Sequence, residues 1–132
     1  MALVLPLLLL ILVGLVDFGR AASEAIAVEN AAQAGASYGA RNTGLAADAS
    51  GIRTAALGDI GQDADPNSVT VISECYCECS DGTSVTCTNK CAGKLPQMYL
   101  RVRVDKQFRT LLGYPGVPHQ INLSRETRLR VR

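Results

Sequence analysis

The N-terminal part of the chain has the pattern of one long helix with a hydrophobic first half. Residues Ala2–Val16 carry no charged or hydrogen-bonding side chain, and residues 17–34 continue them with many alanines and no proline. Alanine is the strongest helix former, so we predict one helix from about residue 2 to about residue 40, roughly 58 Å long. The rest of so short a chain cannot cover such a helix, which therefore needs partners.

The apolar run is compatible with a membrane, although it is short. In a helix its 15 residues reach about 22 Å, against about 30 Å for the hydrocarbon core of a bilayer. A secretory signal peptide with a cleavage region at residues 21–23 is the alternative interpretation. A signal peptide requires a basic segment before the apolar run, and no Lys or Arg precedes Arg20.

A second, short helix is predicted over Ala46–Ile60. A cap at Thr43 or Asp48 would begin it, and Gly58 or Gly61 would end it. Residues 63–67 and the segment around Pro115, Gly116 and Pro118 have the composition of loops.

Beyond residue 68 the hydrophobic period changes to two, which is typical of strands. The predicted strands are Val69–Ile72 with the cysteine-rich segment after it, Tyr99–Asp105 and Ile121–Val131, and Asp81-Gly82 marks a hairpin turn. We therefore predict an α+β fold with a small antiparallel sheet. It divides into an N-terminal helix, residues 1–42, and a small globular domain, residues 43–132.

Composition and charge restrict the possible functions. The chain has 132 residues, which allows one modest domain with an appended element and excludes a two-domain enzyme. Residues 1–89 carry a formal charge of −7 and residues 90–132 one of +8. We expect these charges to meet within the fold or between subunits.

The basic residues near the C-terminus do not have the pattern of a nucleic-acid site. Arginines recur there at every second position, which is the spacing of one strand face. Few aromatic residues lie between them, so we expect no binding to nucleic acid. These arginines are Arg101, Arg103, Arg128, Arg130 and Arg132.

Five cysteines fall within 17 residues, at positions Cys75, Cys77, Cys79, Cys87 and Cys91. Such a cluster is either a metal site or a set of disulfides. Zinc sites prefer C-x₂₋₄-C pairs, and only Cys87 and Cys91 have that spacing, while His119 stands alone in a loop. Disulfides suit an exported chain with a small core, and four cysteines allow three pairings. A nucleophilic cysteine would need a histidine partner, so we expect neither a cofactor nor an enzymatic activity.

The chain resembles TadE-like pseudopilins of the bacterial tight-adherence (Tad) pilus system over nearly its whole length. The similarity begins with ALVLPLLLL in the apolar run and GLVDFGR at its end, and continues with NAAQAGASYGAR. It extends through CECSDG, Cys87 and Cys91, then YLRVRV, Phe108, Leu111-Leu112, Leu123–Arg125 and Arg130–Arg132. Cys75 is an additional cysteine beside the four that match.

This resemblance implies a type IV pilin-like subunit. Such a subunit is inserted in the bacterial inner membrane by its apolar helix, trimmed by a prepilin peptidase and packed with copies of itself into a helical filament outside the cell. Its partners would be other pilin-like subunits and Tad-type assembly machinery, and its functions adhesion or related surface roles. The alternative is a membrane-anchored or secreted small binding domain that does not polymerise.

Precursors of this family carry a basic leader, and a Glu just before the ALVLP-like run. Neither precedes Ala2 in the printed sequence. We therefore expect either that an upstream part exists or that this subunit does not use the peptidase.

The predicted site residues lie on the long helix and in the cysteine cluster. The assembly helix is predicted to act through Leu5, Leu9, Val13, Asp17, Phe18, Arg20 and Glu24. Among them Asp17, Arg20 and Glu24 share one helical face, so Arg20 could pair with either acid. The four matching cysteines flank a turn, and we favour the nested pairing, Cys77–Cys91 around Cys79–Cys87, over the crossed one. Cys75 would stay free or bond to another subunit.

Overall fold

The computed structural model describes residues 4–60, 65–111, 116 and 118–132. Within this part the helices are α1 (Val4–Gly39), α2 (Thr43–Ala46) and α3 (Ala49–Ile60). The strands are β1 (Val69–Glu78), β2 (Ser84–Val85), β3 (Gln97–Arg109) and β4 (Gln120–Arg130), and a 3₁₀ turn at Pro66–Ser68 precedes β1. The predicted α+β fold with a long N-terminal helix is confirmed. The predictions for Ala2, Leu3, Gly61, Asp63, Leu112 and Pro115 lie outside the described residues.

The long helix α1 divides into an exposed half and a packed half. Its 36 residues extend over about 54 Å. Up to Val16 its large apolar side chains are mostly exposed, whereas one face of its second half is buried. The buried residues are Asp17, Val28, Ala31, Ala32, Gly35, Ala36 and Gly39. Small side chains therefore dominate the face that meets the rest of the chain.

The prediction of one helix over Ala46–Ile60 is wrong at its start, because Ala46 belongs to a separate helix, α2, and α3 begins at Ala49. Asn42 caps α2, since its side chain accepts a hydrogen bond of 2.8 Å from the backbone N–H of Leu45. Asp48 accepts a bond of 3.0 Å from the N–H of Gly51 and begins α3, as predicted. The bond from Gly51, together with hydrogen bonds from the hydroxyls of Ser50 and Tyr38, lowers the pKa of Asp48. Each cap competes with a continuous helix by satisfying free N–H groups locally, and Gly58 lies inside α3 rather than at its end.

The four strands form one antiparallel sheet in the order β2-β1-β3-β4. All of the predicted strands are present. The strand β3 is longer than predicted at both ends, and β4 begins and ends one residue earlier than predicted. The face towards α1 is apolar and carries Val69, Leu100, Val102, Val104 and Phe108. The other face carries the alternating arginines of β3 and β4, and the register places Arg101 directly opposite Arg128.

The turn between β1 and β2 lies at Asp81-Gly82, as predicted. Gly82 has a φ of 84°, a left-handed conformation that glycine adopts without steric cost. The carboxylate of Asp81 accepts a bond of 2.9 Å from the N–H of Thr83, which fixes the turn locally.

The hydrophobic core lies where α1 crosses both α3 and the sheet. A Cβ at Gly35 would lie 3.2 Å from the backbone oxygen of Ile52. A Cβ at Gly39 would overlap Leu100 Cδ2 and lie 3.1 Å from Ile52 Cδ1. The second half of α1 is thus part of the core formed by β3 and α3. The division of the chain at residue 42 stays a prediction.

Gly39 tests this packing. We expect Gly39→Ala to lower the free energy of unfolding by about 1–3 kcal/mol, because the added methyl group overpacks the contact with Leu100. Gly19→Ala is the matched control: nothing lies within 4 Å of a Cβ at Gly19, so the exposed helix should gain up to about 1 kcal/mol. Chemical unfolding of both variants measures the difference, and equal effects would contradict the close approach.

Candidate functional site

The exposed first half of α1 is an apolar surface that the described chain leaves largely uncovered. Leu5 is 66% exposed and Leu9 is 56% exposed, while Val13 is half-buried. By length and composition α1 is able to cross a membrane. Contiguous apolar surface of this kind marks a site of contact with lipid or protein.

Asp17 marks the point where α1 changes from the exposed half to the packed half. Asp17 is only 6% exposed, and both of its carboxylate oxygens lie 3.2 Å from the backbone nitrogen of Leu111. Arg20 Nη1 lies 3.6 Å from Asp17 Oδ1, and the Arg20 guanidinium lies 5.6 Å from the centre of the Phe108 ring. The buried charge is therefore matched by a hydrogen-bond donor and a cation, as burial requires.

Two further acids of α1 pair with the sheet. Glu24 forms an ion pair with Lys106 of β3, and Glu29 Oε2 lies 3.3 Å from Arg125 Nε of β4. Of the two partners proposed for Arg20, the structure therefore uses Asp17, while Glu24 binds Lys106. Exposed pairs such as Glu29–Arg125 contribute little stability. The two pairs show that this stretch of α1 lies along β3 and β4.

The disulfides are crossed, and the nested pairing predicted from the sequence is wrong. Cys77 bonds to Cys87 with a Cα–Cα distance of 5.1 Å, and Cys79 bonds to Cys91 at 5.6 Å. The reason lies in the register, because Cys77 pairs across the strands with Val85. Cys87, two positions beyond Val85, is thus a diagonal neighbour of Cys77, and Cys79 is left for Cys91.

Cys75 lies outside both disulfides. Its thiol donates a weak hydrogen bond of 3.3 Å to the carbonyl oxygen of Ala46. Desolvation by burial raises the pKa of this thiol, which disfavours the thiolate that thiol exchange requires. A bond from Cys75 to another subunit stays a prediction.

Part of the positive charge of β3 is balanced on the outer face of the sheet. Arg101 lies 3.7 Å from Glu74 and 3.3 Å from Glu126, and its guanidinium lies 5.1 Å from the centre of the Tyr76 ring. Arg103 lies 3.1 Å from Asp105. The predicted meeting of opposite charges thus occurs within the fold at these positions. Sequence patterns placed the arginines on one face but could not identify acids from other strands.

The burial of Asp17 yields a stability prediction. We expect Asp17→Ala to lower the free energy of unfolding by about 1–3 kcal/mol, because the N–H of Leu111 loses its acceptor. Glu29→Ala, which breaks an exposed pair, should cost less than about 1 kcal/mol. Unfolding curves in denaturant decide between these outcomes. An equal cost for both variants would show that Asp17 has no special role.

The crossed disulfides are tested by peptide mapping without reduction. Cleavage after Glu74, after Glu78, before Asp81 and after Lys90 separates all four bonded cysteines. Crossed bonds give two linked pairs, residues 75–78 with residues 81–90 and residues 79–80 with the fragment that begins at Cys91. Nested bonds would instead link residues 75–78 to the Cys91 fragment. Alkylation should label Cys75 alone.

Comparison with known proteins finds one family. Residues 1–37 match the family described as TadE-like protein, which confirms the resemblance over these residues. The match ends within α1 and contains every residue predicted for the assembly helix. No curated protein and no solved structure matches the chain.

Proposed function

We propose that the chain is a structural subunit of a bacterial Tad-like surface filament. Its apolar segment, the part of α1 from Val4 to Val16, anchors it in the inner membrane and later packs against the same segment of other copies. The observation that carries this proposal is the contrast within α1: one half is fastened into the core and the other half is exposed and apolar.

The exposed apolar segment needs a partner for physical reasons. Each buried large aliphatic side chain contributes about 1.5–3 kcal/mol relative to exposure in water. A row of such side chains, among them Leu5 and Leu9, stabilises any state that removes it from water. A bilayer does so for a single subunit, and neighbouring helices do so in a filament. The same surface therefore suits the subunit first in the membrane and later in the filament.

The acidic residues of α1 have a different role from the apolar ones. Asp17 and Glu24 are bonded to Leu111 and Lys106 of their own chain, so they set the orientation of the globular part. Leu5, Leu9 and Phe18 remain exposed and are the side chains that we assign to contacts between copies. Val13, half-buried, lies between the two groups.

The family match supports the same class of function. TadE-like proteins form a pilus-related structural family, not one known for enzymatic activity. We infer that the other partners are pilin-like subunits and Tad-type assembly machinery. In the assembled filament the globular part would lie outside the helical core, where it would serve adhesion or related surface functions.

The substitution Leu9→Asp tests assembly. We expect it to abolish filaments while the globular part stays folded, because burial of an unpaired carboxylate costs several kcal/mol. Leu95→Asp is the matched control, since Leu95 is an exposed leucine far from α1 in the sequence, and it should leave filaments intact. Electron microscopy and mass spectrometry of material sheared from cells give the readout.

Two results would contradict the proposal. Filaments at normal yield from the Leu9→Asp variant would show that the apolar segment does not form the contacts between copies. An unsubstituted chain found in membranes but never in polymers would instead favour the membrane-anchored binding domain.

A further inference from the structure

We infer that the base of the globular part binds phospholipid headgroups while the subunit is in the membrane. The binding surface, here called the basal collar, consists of Phe18, Arg20, Arg109 and Leu111. This inference rests on the proposed membrane insertion of the apolar segment. This inference adds to that proposal a second lipid contact, made by the end of β3 together with the residues of α1 that follow the apolar segment.

The position of the collar follows from where the apolar segment ends. Val16 is the last residue of the uncharged run and Asp17 is the first charged one, so the helix leaves the hydrocarbon region at this boundary. Phe18 and Arg20 lie within about 6 Å of Val16 along the helix axis. Both therefore lie at the depth of the headgroups when the segment is inserted.

The sheet is held at the same depth by a hydrogen bond between residues that are far apart in the sequence. The backbone N–H of Leu111 donates to both oxygens of Asp17 at 3.2 Å. Leu111 is the second residue after the end of β3, so this bond places the end of β3 beside the membrane exit of α1. The globular part cannot stand away from the bilayer without breaking it.

The side chains exposed at this point suit an interface between lipid and water. Phe18 is 75% exposed and Leu111 is 61% exposed, although both are large and apolar. Arg20 and Arg109 line one groove of about 410 Å³. Apolar side chains flanked by arginines are the composition found where proteins meet headgroups, since a long arginine reaches the phosphate level. The guanidinium group binds phosphate with two parallel hydrogen bonds.

Of the two arginines, Arg20 is paired with Asp17, and the other acids near the groove have partners of their own. Asp17 is engaged by Leu111 and Arg20, and Glu24 by Lys106. Asp65 also lines the groove, and its carboxylate accepts a bond from the N–H of Asn67. Arg109 has no carboxylate within 4.0 Å among the described residues, so it is available to a lipid phosphate. The bilayer is the occupant that we propose because the collar is continuous with the apolar segment.

A tryptophan at position 111 tests the collar directly. The chain has no Trp, so Leu111→Trp introduces the only indole. The full chain is reconstituted in vesicles of phosphatidylcholine and phosphatidylglycerol with bromine on the acyl chains near the headgroups. We expect bromine to quench the fluorescence of this tryptophan. Absence of quenching overturns the inference.

Removal of the arginines measures their part in the binding. In the Leu111→Trp background, Arg109→Gln should lower the ratio of lipid-bound to unbound collar about fivefold, the effect of one basic residue near an anionic surface. Arg20→Gln should act in the same direction. Arg41→Gln is the matched control, because Arg41 lies just beyond α1, about 32 Å from Arg20 along the helix, and it should change nothing. Equal quenching in all three variants contradicts the role of the arginines.

A second probe separates this inference from the proposed function. The variant Leu9→Trp, made in the otherwise unsubstituted chain, reports insertion of the apolar segment alone. If bromine deep in the bilayer quenches the indole of Leu9→Trp while the indole of Leu111→Trp is not quenched, the segment inserts and the collar proposal is wrong. If neither variant is quenched, membrane insertion itself fails.

Discussion

The contact between the second half of α1 and the remainder of the chain is the interaction on which the structure depends. It buries one face of the second half of the helix in the core. Glycines and alanines let the helix approach α3 and β3 at van der Waals distance, and a methyl group at Gly39 would already collide with Leu100. Without this contact the sheet would have an uncovered apolar face. With it, the first half of the same helix is left largely uncovered by the described part of its own chain. The charge division of the chain follows from the same arrangement, because acids of α1 face bases of the strands, as in Glu24 with Lys106.

Much of the fold could be predicted because its signals are local. The uncharged run, the alanine-rich continuation and the period of two in the strands each extend over one element. Asp48 as a cap and Asp81-Gly82 as a turn are also visible within a few residues. The interruption between α2 and α3 was missed because Asn42 and Asp48 can each begin a helix, and the sequence does not show that both do.

The contacts that could not be predicted from the sequence join residues that are far apart along the chain. No residue near Asp17 in the sequence indicates that its carboxylate accepts a hydrogen bond from the N–H of Leu111. No residue near Glu24 indicates that Glu24 forms an ion pair with Lys106. The pairing of Cys77 with Cys87 required the register between β1 and β2, since a shift along the strand changes which cysteines are neighbours. Local patterns identify which residues are polar or apolar. The partners depend on how the elements are placed.

The alignment of α1 with the strands determines how a force applied to the apolar segment would be distributed over the fold. Glu24 lies beside Lys106 and Gly39 beside Leu100, so α1 runs antiparallel to β3. The N–H of Arg132, just past β4, donates to the carbonyl oxygen of Ala40 at 3.0 Å, so the end of β4 is attached near the end of α1. A pull on the apolar segment therefore reaches the sheet as shear along β3 and β4. Shear stretches many contacts simultaneously instead of opening them one after another, and the disulfide-bonded hairpin at the other edge of the sheet lies outside the path of the force.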